Sequence, residues 1–203
     1  MKRFIAVAGN MGVGKTSMVE FLTQEYGVEP VYEPYTANPY LDDFYADMPR
    51  WGFHSQLWFL THKFRLHLEL NDRPGVVVQD RTIYEDAEIF ATNLGRSGMM
   101  SERDWRTYQD LYSAMRAALQ PPDVLIYLRC SVRSIRQRIR RRGRASELAI
   151  PLPYLRRLNG LYEEWTANYT LSPIVIWDSE RLDYLTHIVD QIAFRRMVER
   201  VLK

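Results

Sequence analysis

The sequence predicts an α/β fold, a five-stranded parallel sheet flanked by helices, on three observations. Short apolar runs alternate with longer helix-periodic stretches along all 203 residues, which is how strand–helix–strand units build a parallel sheet. The stretch Gly9-Asn10-Met11-Gly12-Val13-Gly14-Lys15-Thr16 fits G-x-x-x-x-G-K-[ST] between an apolar run and a helical one, the strand–loop–helix setting of a phosphate-binding loop. A further run, Val76-Val77-Val78-Gln79-Asp80, ends in an acid, the layout of a Walker B strand. Together these define a P-loop NTPase-like domain. The length suits one such domain, residues 1–203, rather than two.

Taken in order, Phe4 to Ala8 is the first buried strand and Ser17 to Tyr26 the first helix. Between them, glycines let the backbone approach a phosphate closely, so that the N–H groups from Gly9 through Ser17 and the helix dipole point at the anion. Lys15 is placed to reach the β- and γ-phosphates of a nucleoside triphosphate, and the Thr16 hydroxyl to meet Mg2+ with Asp80. Val28 to Tyr32 forms the second strand, stopped by Glu33-Pro34-Tyr35. Glu33 thus falls at a strand's carboxyl end, the edge where ligands of open α/β sheets bind, and is a candidate for chemistry.

Asn38 to Arg73 reads as helical and aromatic-rich. Within it Gln56, Phe59 and Lys63, at i, i+3 and i+7, share a face. An amide, an apolar ring and a charge there can read a planar base, or form a part-solvated face. Arg73-Pro74-Gly75 turn the chain into the Val76–Asp80 strand, after which Arg81 is placed to meet transferring charge. Ile83 to Leu94 is a helix with Asp86 and Phe90 one turn apart on a shared face, and Ser101 opens another helix that runs to Leu119.

Pro121-Pro122 precede the fourth strand, Asp123 to Leu128. Arg133, Arg136, Arg138, Arg140, Arg141, Arg142 and Arg144 crowd the next segment, up to Gly143 and a loop. A solvated basic helix or a nucleic-acid patch is the alternative. Confinement to one segment favours an arginine-rich lid, about 138–150, that neutralises developing charge and excludes water. A helix from Pro151 to Asn168, a fifth strand from Ile174 to Trp177 and a helix from Tyr184 to Leu202 complete the chain.

The bulk numbers narrow the partners. Twenty-seven basic against 25 acidic residues, net +2, give no general reason to expect nucleic acid or a membrane. Cys130 is the single cysteine, which excludes an internal disulfide and a cysteine zinc site. The apolar run after Met1-Lys2-Arg3 is too short for a signal peptide, and no stretch approaches the ~20 apolar residues of a membrane span. A soluble, cytoplasmic protein is expected.

On these residues the chain resembles the deoxynucleoside kinase family along nearly its whole length. The resemblance rests on the Gly9–Thr16 loop, Glu33-Pro34, the spacing of Tyr45, Trp51 and Gln56, Asp80-Arg81-Thr82 with Asp86 and Phe90, and Arg138-x-x-x-Arg142-Gly143-Arg144 leading to Glu147 and Ile150-Pro151-Leu152. It implies Glu33 as the general base toward the sugar 5′-hydroxyl and Asp80 near Mg2+. Arg81, Arg142 and Arg144 would stabilise the phosphoryl group in flight, and Arg138 would lie near the ATP base. It also implies Tyr45 and Glu147 on the 3′-hydroxyl, Phe90 against the 2′ position, Gln56 and Asp86 on the nucleobase, and a homodimer through the long helices.

Some positions depart from the family pattern. Asp80 and Thr82 stand where many relatives have glutamate and serine, and both preserve the chemistry. Lys63 stands where animal members that act on deoxycytidine or deoxyguanosine have arginine, and a lysine cannot form a bidentate fork. Phe59 is larger than expected at that wall. An acid at Asp86 implies a base with a donor edge, which leaves purines or cytosine. The resemblance, in which bacterial-looking members with this acid act on purines, implies deoxyadenosine or deoxyguanosine, with deoxycytidine as the alternative. A nucleoside monophosphate kinase would leave Glu33 unexplained, because its acceptor is already ionised. A non-catalytic nucleotide-binding assembly subunit would be expected to lose Lys15, Glu33 or a lid arginine. A P-loop switch protein would carry an NKxD segment after strand four, where Arg129-Cys130-Ser131-Val132 stands instead.

Overall fold

Ile5, Ala6, Val7 and Ala8 are each 1% exposed or less, because β1 (Arg3–Ala8) carries no polar side chain beyond Arg3 and can be covered on both faces. The computed structural model describes residues 2–32, 37–70, 73–180 and 188–202. In it β1 pairs in parallel with β3 (Val76–Asp80) on one side and β4 (Val124–Arg129) on the other. The sheet extends outward with β2 (Glu29–Val31) and β5 (Ile174–Asp178), in the order β2-β3-β1-β4-β5. Val7 lies opposite Asp80 and Leu128 opposite Trp177, so the carboxyl ends of the central strands form one edge. Gly9, Arg81 and Ser179 follow β1, β3 and β5 at that edge.

The helices α1 (Lys15–Tyr26), α2 (Leu41–Ala46), α3 (Met48–Leu70), α4 (Ile83–Glu85), α5 (Thr92–Arg96), α6 (Glu102–Arg116), α7 (Val132–Arg142), α8 (Ala145–Leu148), α9 (Leu152–Ala167) and α10 (Ile188–Leu202) surround the sheet. Among the described residues, no helix is long and apolar enough to cross a membrane.

Three elements differ from the sequence expectation. The helical stretch from Asn38 to Arg73 divides at Asp47, whose carboxylate accepts the Arg50 N–H at 3.2 Å and starts α3 afresh just before Pro49. The helix expected from Ile83 to Leu94 widens into a π-helical turn over Asp86–Ala91, where the Thr92 N–H and hydroxyl both reach the Ala87 carbonyl. The segment after Gly143 is not a loop throughout, since α8 forms within it. Gly143, at φ 72°, ends α7 with its N–H on the Ile139 carbonyl.

Candidate active site

The loop after β1 has no room for a side chain at two of its turns. A Cβ on Gly9 (φ 145°) would lie 2.8 Å from the Leu128 carbonyl oxygen, and one on Gly12 (φ 73°) 2.9 Å from the Ile139 side chain. Lys15, 7% exposed, curls back so that its ammonium donates to the Gly9 and Asn10 carbonyls at 2.8 and 3.1 Å. Asn10 anchors the loop from behind: its amide donates to the Leu155 carbonyl and to Asn159, each at 3.3 Å, while its oxygen accepts the Met11 N–H at 2.8 Å.

Opposite the loop, the Thr16 hydroxyl donates to Asp80 Oδ2 at 2.8 Å, and Asp80 Oδ1 is buried without a hydrogen-bond partner among the described residues. A hydroxyl and a carboxylate side by side, all oxygen, beside a phosphate cradle are the donor set Mg2+ takes. Arg81 follows in the left-handed region at φ 61°, the one non-glycine residue with positive φ among the described residues. That conformation costs about 1–2 kcal/mol in an L-residue. The Arg81 guanidinium lies 4.4 Å over the Phe90 ring.

A single cavity of about 1170 Å3 connects these groups. Gly12 through Ser17, Asp80 and Arg81 line one end, and Tyr45, Gln56, Phe59, Asp86 and Phe90 line the other. At the second end Gln56 is 3% exposed and its Oε1 is buried without a partner among the described residues. The Tyr45 hydroxyl points at the Met11 sulfur, 3.7 Å away. The π-turn keeps Asp86 and Phe90 on the same wall, as their spacing predicts. Lys63 stands behind that wall, 0% exposed, with its ammonium 2.8 Å from Asp86 Oδ2. It is not among the cavity-lining residues, and it meets the wall through Asp86 and through the Phe59 ring, whose centre is 5.8 Å from its ammonium.

Arg138, Arg142, Arg144 and Glu147 close the cavity from α7 and α8. Arg138 donates to the Val13 carbonyl at 2.8 Å and the Ser179 carbonyl at 2.6 Å, so the start of the expected lid is tied to the loop and to β5. Arg142 and Arg144 both donate to the Glu147 carboxylate. On the far face of α7, Arg133, Arg136 and Arg140 join Arg156 of α9 around a second hollow of about 400 Å3. Glu33, the candidate base, lies outside the described residues.

The structure adds residues that were not singled out in the sequence. Ser179 and Glu180 line the cavity, and their place just past the carboxyl end of β5 was the available signal. Tyr154 and Gln137 also line it and had no such signal, because helix positions gain a role only once the helices dock. Glu85 is wholly buried beneath the site; Thr82-x-x-Glu85 is a capping-box pattern, and the box forms.

Comparison with known proteins identifies the family and the fold. A family model described as deoxynucleoside kinase matches residues 5–203. Over 199 residues the chain is 39% identical to a deoxyadenosine/deoxycytidine kinase of Bacillus subtilis (strain 168), with 93% of this chain and 91% of that protein covered. It is 32% identical over 209 residues to a deoxyguanosine kinase of Lactobacillus johnsonii, with 98% and 92% covered. A solved structure of deoxyadenosine kinase from M. mycoides with bound dATP matches at a TM-score of 0.85 and 29% identity, covering 96% of this chain and 98% of that one. The five-stranded parallel sheet flanked by helices is thus the fold of that enzyme as well.

Proposed function

The chain belongs to the deoxynucleoside kinase family, and from that premise we propose that it transfers the γ-phosphoryl group of MgATP to the 5′-hydroxyl of a purine 2′-deoxynucleoside, deoxyadenosine or deoxyguanosine. The observation that carries the reading is the continuous cavity with a phosphate loop at one end and the Gln56 amide and Asp86 carboxylate at the other. Asp86 accepts from an exocyclic amino group and Gln56 pairs with a neighbouring ring edge, which disfavours thymidine. The relatives named above act on adenine, guanine and cytosine deoxynucleosides, so the purine preference is this chain's own question.

Phosphoryl transfer asks a protein mainly for positioning and charge stabilisation. In the proposed mechanism Lys15 and the loop amides hold the β- and γ-phosphates, and Glu33 takes the 5′-hydroxyl proton. Arg81, Arg142 and Arg144 carry the charge that develops on the transferring group. Thr16 and Asp80 would hold the Mg2+, which would supply positive charge to offset that of the phosphates. Tyr45 and Glu147 hold the 3′-hydroxyl, the Phe90 ring crowds the 2′ position, and Arg138 lies near the ATP base. The segment 138–150 acts as the lid.

A homodimer through α3 and α6 belongs to the same reading, and Leu68 and Leu111, 38% and 37% exposed, are apolar surface on those helices. Sedimentation velocity tests it. The deciding assay offers ATP with each of four deoxynucleosides, adenosine and the deoxynucleoside monophosphates. Turnover highest with a purine deoxynucleoside supports the proposal. Highest turnover with a monophosphate would overturn it, and highest turnover with deoxycytidine would overturn the purine preference alone.

A further inference from the structure

Among the described residues, Glu85 is the one carboxylate that touches the phosphate loop, the turn after β3 and α9 together. Its Oε1 accepts the Gly9 N–H at 3.1 Å and the Tyr162 hydroxyl at 2.9 Å, and its Oε2 accepts the Thr82 N–H at 3.1 Å. The side chain is 0% exposed. We infer that Glu85 is a positioning residue for phosphoryl transfer: by bridging Gly9 and Thr82 it holds Arg81 in its left-handed conformation and fixes where the guanidinium points relative to the phosphate loop. This rests on the proposed function, in which Arg81 meets the transferring group.

The geometry leads to Arg81 because both amides flanking its strained backbone are tied down. The Arg81 N–H donates to the Val7 carbonyl at 3.1 Å, and the next amide, on Thr82, goes to Glu85. A left-handed φ at a bulky residue persists only where its surroundings over-determine it. If the Thr82 tie is lost, Arg81 can relax to negative φ, which swings the side chain off the Phe90 ring and away from the loop. The opposite oxygen holds the first residue of the loop, so the spacing of loop and turn depends on one rigid group.

A buried carboxylate is an expensive way to fasten two amides, and burial raises the Glu85 carboxyl above the usual carboxylate range. The charges of Arg81 and Lys15 oppose that rise. The carboxyl thus sits in the field of the two cations that face the transferring phosphate. A glutamine of the same shape cannot substitute. Its NH2 group replaces one acceptor and meets an N–H or O–H donor, so at least one of the three bonds must break.

The test compares Glu85→Gln, Tyr162→Phe and the double variant with the wild type, using ATP and the best deoxynucleoside. We expect Glu85→Gln to lower kcat by about 10- to 100-fold, with the deoxynucleoside KM within about threefold, because misaimed charge costs the transition state and not binding. Tyr162→Phe should lower kcat by about threefold, and the double variant should be no slower than Glu85→Gln alone, as for groups acting through one carboxylate.

A Glu85→Gln enzyme that melts lower yet keeps kcat within twofold per folded molecule overturns the inference. If that variant does not fold, Tyr162→Phe decides, and an unchanged kcat there overturns it. A wild type that phosphorylates no deoxynucleoside sinks the proposed function by itself. In that case ATP affinity by calorimetry decides on Glu85: weakening of about threefold or more in Glu85→Gln, or in Tyr162→Phe where that variant does not fold, supports the bridge, and unchanged affinity overturns it.

Discussion

Lys63 Nζ and Asp86 Oδ2 lie 2.8 Å apart with side chains 0% and 4% exposed, so the acid on the cavity wall is backed by a cation that the cavity never meets. Breaking such a pair from one side leaves a buried charge uncompensated. Lys63→Met should therefore cost about 3–5 kcal/mol of stability, read as a lower denaturant midpoint at unchanged slope. Alongside it, purine turnover should fall more than thymidine turnover. A midpoint within error of the wild type would show that the pair does not hold the wall.

The general-base assignment predicts a split between binding and chemistry. Glu33→Gln keeps the size of the side chain and removes the proton acceptor. Calorimetric ATP affinity should be nearly intact while kcat drops by roughly 10²–10⁴-fold. Unchanged turnover would remove Glu33 from the role.

Mg2+ dependence should track the Thr16–Asp80 contact. Asp80→Asn keeps an oxygen beside Thr16 but loses the charge, so the Mg2+ concentration for half-maximal turnover should rise by roughly tenfold or more. Mn2+ titration of the same variant checks that the shift is in metal affinity. A wild-type Mg2+ profile in Asp80→Asn would place the metal elsewhere.

His67 predicts a pH effect on stability away from the site. The ring is 0% exposed, it donates from Nε2 to the Gln120 carbonyl at 2.6 Å, and burial lowers its pKa below the usual 6.5. Below that pH the unfolded chain takes up a proton that the folded one refuses, so stability is full above it and lost as pH falls toward the folded value. The slope from this group is at most about 1.4 kcal/mol per pH unit. Melting curves from pH 7.5 to 5 should show the loss, and His67→Phe, although weaker at pH 7.5, should show a shallower one.

Local pattern carries a large part of the fold. The loop, the acid ending β3 and the arginine segment each lie within a few turns of chain. A phosphate cradle, a strand end and a charged helix are set by neighbours in sequence, so they could be read directly. The break at Asp47 was carried by capping chemistry that the helical period masked, and the four residues of α8, which has no side-chain cap, left no signal in a segment that reads as a loop.

Other features come from long-range packing, and periodicity does not reveal them. Gln56, Phe59 and Lys63 share the face that their spacing implies, but only the docking of α3 on the π-turn turns Lys63 away from the cavity and onto Asp86. Glu85 meets Gly9, 76 positions away, and Tyr162, 77 positions away, and both contacts exist only because three elements converge at one sheet edge. The sequence by itself determined which chemical groups the protein carries and the local elements that present them, because those depend on adjacent residues. The tertiary structure decided which groups face the ligand and which hold them in place, because burial and strain belong to the packed whole.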